Sequence, residues 1–428
     1  MRPDPSTVES DSLNKEYRPR VVDSRISDTL SLFGGVLITG PMWCGKSWTG
    51  QYHSRSKYLV DKGATLASLD AELVLEGEVP RLVDEWQDAP ALWDAARRII
   101  DDRAKPGQFI FTGSSLPPKK STSHTGTGRF ARIAMRPMSL FESGNSDGHV
   151  SLSALFNGAE FKPHRSEMSY DAAVRLICRG GWPSAVNESY ERAVEVPREY
   201  IKAVANSEIT DAEKREKKRD PTVMALLMRS LARNTATCAK IAVITEDISR
   251  DRKISESTVT NYIEALRRIF VLDEQEAWYP DLRSRVRLRT SPKRHLVDPS
   301  LAVAAMRADV ERIKSDPNTA GFLFESLCYR DLCVYSSALG GDVYQYGDNT
   351  GLEVDSIVEL RDGKWGAVEV KLGDFEFDKA IHNLMSLKKK MSDNSPPPSF
   401  MMILCATGGV AYTRDDGIMV VPLDCLGP

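Results

Sequence analysis

Paired cysteines are absent from this chain. Its seven cysteines, Cys44, Cys178, Cys238, Cys328, Cys333, Cys405 and Cys425, are scattered and include no C-x-x-C pair. An odd number without such spacing argues against a disulfide framework and a zinc knuckle, and points to a reducing compartment. Long apolar runs are also missing: nothing approaches the roughly 20 residues that cross a bilayer. The start, Met-Arg-Pro-Asp-Pro, lacks the apolar stretch of a signal peptide, so a cytoplasmic protein without a membrane partner is expected. Charge of one sign is not in excess, since 57 Lys and Arg face 60 Asp and Glu for a net −3. The protein as a whole is therefore no polyanion binder, and any nucleic-acid contact must come from local basic patches. What remains, 41% hydrophobic and 27% charged residues over 428 positions, suits a soluble chain of two or three domains.

One motif stands out. Gly40-Pro41-Met42-Trp43-Cys44-Gly45-Lys46-Ser47 spells G-x-x-x-x-G-K-S directly after the apolar run Val36-Leu37-Ile38. Gly40 and Gly45 allow the backbone to bend so that successive N–H groups converge on phosphates. Lys46 would reach the β and γ phosphates, and Ser47 would ligate Mg²⁺. Binding of ATP or GTP is expected.

Further along, Arg81-Leu82-Val83-Asp84-Glu85 ends an apolar stretch in two carboxylates. In nucleotide-hydrolysing P-loop proteins the first holds Mg²⁺ and the second polarises the attacking water, roles assigned here to Asp84 and Glu85. A third strand, Gln108–Phe111, runs into Thr112-Gly113-Ser114-Ser115. Thr112 and Ser114 either sense the γ phosphate or belong to a plain turn. Arg129, with Arg132 and Arg136 behind it, either completes transition-state charge stabilisation, in its own subunit or across a homo-oligomer, or pairs with surface acids. Strands alternate with helical stretches such as 91–102, which predicts an α/β fold with a parallel sheet.

The ordered set GPMWCGKS, RLVDEWQ, FIFTGSS and GRFARIAMRPMSLFE resembles a large, mostly uncharacterised bacterial and archaeal family of AAA-superfamily ATPases carrying a C-terminal domain of unknown function. The likeness covers nearly everything after about residue 18. It implies an AAA-type core that takes ATP, then a winged-helix region and a nuclease-like C-terminal domain. The domains expected are 1–165 for the ATPase core, 166–220 helical, 221–300 winged helix and 301–428 nuclease-like.

The residues of the middle region agree with that order. Residues 170–235 have helical spacing, interrupted at Gly180-Gly181-Trp182-Pro183. The charged run Lys214–Arg219 reads as a solvated face or loop. A helix around Cys238–Ile244 is followed by Ser255, a helix start, and by Val259, Tyr262, Ile263, Leu266 and Ile269 on one face, which leaves Ser257, Thr258 and Asn261 exposed. This is how the second helix of a helix-turn-helix is written. Next, Arg283, Arg285, Arg287 and Arg289 alternate with smaller residues, placing four guanidinium groups on one side of a strand, and Lys293, Arg294 and His295 prolong the basic tract. Such a strand either lies along the phosphates of DNA or pairs with acids of the ATPase domain.

In the last region Phe324, Leu327, Cys328, Leu332 and Tyr335 form an apolar helical stripe with Glu325 at its margin. Strands follow at 343–346 and 352–360, and Arg361-Asp362-Gly363-Lys364 makes a hairpin turn into 365–372. Asp355 lies in the first arm; Glu369 and Lys371 share one face of the second. This arrangement resembles the PD-(D/E)XK nuclease fold. Asp355 and Glu369 would hold Mg²⁺ or Mn²⁺, Glu325 would support it, and Lys371 would ease formation of hydroxide. Glu-x-Lys on a strand is also a common surface ion pair. The apolar run Phe400–Cys405 reads as a central buried strand.

Three readings result: an ATPase joined to a DNA-directed nuclease, an ATP-gated DNA- or protein-binding module with an inactive nuclease-like domain, and a nucleotide kinase, against which Asp84-Glu85 and the long C-terminal region argue.

Overall fold

Val36, Leu37 and Ile38 are apolar on both faces, and a strand of that kind is stable only when covered on both sides. They form the middle of β1 (Gly35–Thr39), all of it buried. In the computed structural model, which describes residues 17–60, 70–114, 128–206, 220–278, 291–391 and 396–428, β1 sits inside a five-stranded sheet. The other strands are β2 (Ser56–Leu59), β3 (Arg81–Asp84), β4 (Phe109–Gly113) and β5 (Phe130–Ala134). Their order is β2-β3-β4-β1-β5, and every neighbouring pair is parallel. The expected parallel α/β sheet is present. Because all strands run the same way, the C-terminal ends of β1, β3 and β4 open on one edge. One apolar layer contains Trp86, Leu92, Trp93, Phe109, Phe111 and Phe130, and a second contains Ile26, Val36, Ile38, Leu82, Ile110 and Ile133.

The chain divides into two compact units at Met135/Arg136. The first unit thus ends earlier than the boundary expected near 165, and the three later segments make one body. The reason is strand pairing within the second unit. β6 (Val150–Ser151) pairs with β16 (Leu426–Gly427), and β7 (His164–Arg165) pairs with β14 (Val410–Thr413), so residues 150–165 are tied to the C-terminal end of the chain.

Within the second unit, helices Tyr170–Arg179, Pro183–Val186, Tyr190–Ala193 and Glu195–Asn206 fill the expected helical stretch, broken at Gly180–Trp182. Helices Pro221–Arg233, Ile241–Ser249 and Glu256–Arg268 follow, and then β8 (Leu272–Gln275) pairs antiparallel with β9 (Lys293–Leu296). Val259, Tyr262, Ile263 and Leu266 are buried, whereas Ser257 and Asn261 are exposed. Thr258 is half-buried, its hydroxyl 2.9 Å from that of Ser255. The preceding helix starts at Ile241 instead of Cys238, because Thr237 bridges to Arg294 and Arg294 Nη1 donates to Ala239 O at 2.6 Å, holding that stretch extended. Arg283, Arg285, Arg287 and Arg289, like Lys214–Arg219, lie outside the described residues.

The rest of the second unit is built on a seven-stranded sheet of order β10-β11-β12-β13-β15-β14-β7. The long helix Pro317–Ala338 leads into the antiparallel meander β10 (Asp342–Gly347), β11 (Glu353–Glu359) and β12 (Trp365–Lys371). Gly363, at φ 83°, makes the turn between β11 and β12. Helix Phe377–Met391 then returns the chain to β13 (Phe400–Cys405), parallel to β12 and wholly buried; β15 (Met419–Pro422) lies beyond it. A buried ion group ties the elements together: Arg330 reaches Asp298 at 2.8 Å and Asp331 at 2.7 Å, while Asp331 accepts the Leu140 N–H.

Candidate functional site

Directly after β1 the backbone turns through Gly40 at φ 155° and Gly45 at φ 101° into the helix Lys46–Tyr52. A Cβ on Gly40 would lie 2.3 Å from Met135 O, so the close turn admits no side chain there. Lys46 is 4% exposed, and its ammonium donates to Pro41 O at 2.8 Å, curling back over the loop. Arg20 braces the same loop by donating from Nη1 to Cys44 O at 2.8 Å. Tyr17 stacks on Tyr52 with 4.2 Å between ring centroids and hydrogen-bonds Asp23 and Thr49. Sequence reasoning missed Tyr17 and Arg20, since nothing in the local pattern before the motif ties them to it.

Asp84 ends β3 and Thr112 nearly ends β4, so the parallel register brings both to the edge where the loop opens. Ser47 Oγ donates to Asp84 Oδ1 at 2.9 Å, and the Thr112 hydroxyl donates to the same oxygen. Glu85 follows in the left-handed region at φ 55°, a conformation that costs a non-glycine residue about 1–3 kcal/mol. Its N–H reaches Thr112 Oγ1 at 3.4 Å, and its carboxylate accepts from Gln87 and from Ser114 Oγ at 3.2 Å. Thr112 and Ser114 are thereby drawn to the two carboxylates. A hydroxyl beside a carboxylate is the hard-oxygen donor set Mg²⁺ takes, so Ser47 and Asp84 fit that ion.

Arg129 is elsewhere. It immediately precedes β5, whose Phe130 pairs with Gly35, the first residue of β1. Five residues of strand, about 16 Å, separate that level from the loop. Arg129 is 44% exposed and bound to Asp101 at 2.8 Å, so within its own subunit it does not meet the site. Arg136 points into the second unit, pairing with Asp273 and lying 5.9 Å over the Tyr329 ring.

Residues 33–143 match the family described as AAA domain. The first unit has an AAA-type P-loop core. Residues 170–312 and 320–426 match two families each described as a domain of unknown function (DUF8612 and DUF4143). No curated protein matches the chain. Among solved structures it is similar to the Walker-type ATPase paby2304 of Pyrococcus abyssi, 14% identical, covering 68% of this chain and 96% of that one with a TM-score of 0.42. It is also similar to AMPPCP-bound DnaA from Aquifex aeolicus (16% identical, 61% and 89% covered, TM-score 0.24). The Thermotoga maritima RuvB Holliday junction branch migration motor is 13% identical, with 71% and 96% covered and a TM-score of 0.27.

The second unit gathers a cluster of acids and lysines. Asp355 on β11 accepts the Val370 N–H at 2.9 Å, and Lys371 Nζ lies 3.4 Å from Asp355 Oδ2 and 2.8 Å from Glu369 Oε2. Glu369 also accepts from Asn383 at 3.1 Å. Glu325, from the helix Pro317–Ala338, joins them, so the four residues singled out from the sequence do meet. A fifth comes from the basic tract: Lys293 Nζ donates to Glu325 Oε1 at 2.6 Å and lies 3.4 Å from Asp355 Oδ1. Arg294 and His295 are buried too, against Glu274 and Gln275.

Burial pushes Glu325 up to about 7 and Glu369 up to about 8, with the nearby Asp355 charge adding to both. Burial would raise Asp355 as well, but Lys293 and Lys371 outweigh it and hold the carboxyl below its usual range. Burial works against both ammonium groups, yet the surrounding acids keep Lys293 and Lys371 firmly charged. A divalent ion at Glu325 and Asp355 would need the space that Lys293 fills. The donor set as arranged does not fit a metal.

Proposed function

We propose that this chain hydrolyses ATP in its first unit and that nucleotide state governs a nuclease-like second unit directed at DNA. The convergence of Ser47, Asp84 and Thr112 beneath the loop, with Glu85 beside them, carries the ATPase half. The loop N–H groups cradle the phosphates, and Lys46 leaves Pro41 O for the β and γ oxygens. Ser47 and Asp84 would hold Mg²⁺, which would supply neutralisation of the charge on the phosphates. Glu85 takes a proton from water as the water oxygen bonds to the γ phosphorus and the bond to the bridging oxygen breaks, releasing ADP and phosphate. Thr112 and Ser114 orient the two carboxylates. Arg129 reaches a transition state only as a finger offered to a neighbouring copy, which requires a homo-oligomer.

Two features support the reading of the second unit. Three helices followed by the β8–β9 pair have the order of a winged helix, with Ser257 and Asn261 facing outward. The succession of long helix, three-stranded meander, helix and parallel strand, bearing Asp355, Glu369 and Lys371, supports a PD-(D/E)XK-like reading. The Lys293 contacts favour the second reading of this domain, in which it binds DNA or a protein partner without cutting.

An ATPase assay with and without DNA, run beside a nicking assay in Mg²⁺ and in Mn²⁺, tests both halves. Hydrolysis stimulated by DNA is expected. Nicking abolished by Asp355→Ala favours the nuclease, and absence of cleavage under either metal favours the binding module. Undiminished hydrolysis in Lys46→Ala would sink the ATPase assignment.

A further inference from the structure

The acid cluster of the second unit is already neutralised from within. Asp355 Oδ1 faces Lys293, Asp355 Oδ2 faces Lys371 and the Val370 N–H, Glu369 Oε2 faces Lys371, Glu369 Oε1 faces Asn383, and Glu325 Oε1 faces Lys293. Five of the six carboxylate oxygens therefore have a donor. Lys371 belongs to the same strand as Glu369, as the nuclease-like layout expects; Lys293 does not. It arrives from β9, well before the domain that carries the acids.

Nor is Lys293 a surface lysine resting where it happens to fall. Its side chain is 12% exposed, and the strand beneath it is fixed by flanking residues. Arg294, on the opposite face, is held by Glu274 at 3.0 Å and by Ala239 O, while buried His295 stacks on Tyr329 at 4.2 Å and bonds Gln275. The β8–β9 pair thus presents one ammonium group to the gap between Glu325 and Asp355.

We infer that Lys293 is a built-in cation that occupies the divalent-metal position of the second unit and keeps metal out while β9 stays in place. The inference rests on the nuclease-like reading of Glu325, Asp355, Glu369 and Lys371. An ammonium makes hydrogen bonds of 2.6–3.4 Å here, whereas Mg²⁺ or Mn²⁺ needs oxygens closing to about 2.0–2.2 Å around it. The two cannot share the gap, and their like charges repel. Displacing β9 would open the cluster, which links the helical region that carries the strand to the state of the metal position.

Mn²⁺ binding to the nucleotide-free full chain, read from the loss of the free-ion paramagnetic resonance signal, tests this. Wild type is expected to show no Asp355-dependent ion, and Lys293→Met to gain one per chain, with a rise in Tm on adding Mn²⁺. Adding Asp355→Asn to Lys293→Met should abolish both gains. Should Lys293→Met not fold, Lys293→Gln, which keeps a donor without the charge, supports the same comparison. Equal Asp355-dependent binding in wild type and variant would overturn the lock while leaving a metal site intact. A folded variant that takes up no Mn²⁺ would remove the metal reading of the cluster and the inference with it.

Discussion

The loop at the end of β1 and the cluster around Asp355 both set a lysine against oxygen atoms, but by different means. The first is a backbone turn shaped by Gly40 and Gly45, with the Lys46 ammonium donating to Pro41 O. The second is a balance of side chains in which each carboxylate is answered by an ammonium or amide from another element. A backbone-built site is open to an anion by construction. A side-chain-built site is as open as its internal partners allow.

The largest effect that would test this contrast is at Lys46. Lys46→Ala should lower ATP hydrolysis by about 10²–10³-fold, measured as phosphate release, since one charged donor to the phosphates is lost. Glu85→Gln separates grip from chemistry: hydrolysis should fall by about 10²–10⁴-fold while ATP affinity, measured by calorimetry, stays within a few-fold of wild type.

Two cations in the second unit, buried Arg330 and half-buried Lys293, sharpen the comparison. Arg330 and Lys293 each lie between two carboxylates. Arg330→Met should cost about 3–5 kcal/mol in chemical denaturation because it strands the buried charges of Asp298 and Asp331, and Mn²⁺ should not restore it. Lys293→Met should be restored by Mn²⁺.

The smallest effect concerns an ordinary ion pair. Burial would raise Asp348, but Lys390, Thr350 and the Tyr346 hydroxyl outweigh it and hold it well below the usual carboxylate range. A depressed carboxyl stabilises above its unfolded pKa of about 3.9 and loses that contribution as pH falls through the folded value. Asp348→Asn should therefore cost about 1–3 kcal/mol at pH 7, with the difference from wild type shrinking in unfolding experiments below pH 4.

What was legible in the sequence follows the same division. The phosphate loop, Asp84-Glu85, the Gly363 turn and the apolar face of Glu256–Arg268 are written in neighbouring residues, and each lies where periodicity or turn chemistry put it. Contacts between distant segments were hidden. Arg129, with Arg132 and Arg136 behind it, reads in the sequence as either a finger or a partner of surface acids, and the register of β5 with β1 sets it at the far edge of the sheet, bound to Asp101. Residues 150–165 left the first unit because they pair with strands more than two hundred residues later. Lys293, with Arg294 and His295, reads in the sequence as a prolongation of the basic tract; its contacts with Glu325 and Asp355 show that it points into the acids.

The central claim is that the loop of the first unit grips a nucleoside triphosphate. Calorimetric titration of the full chain with Mg²⁺ and AMPPCP tests it directly. One binding event per chain, lost in Lys46→Ala, is the predicted result; no heat of binding in wild type, or unchanged binding in the variant, would contradict it.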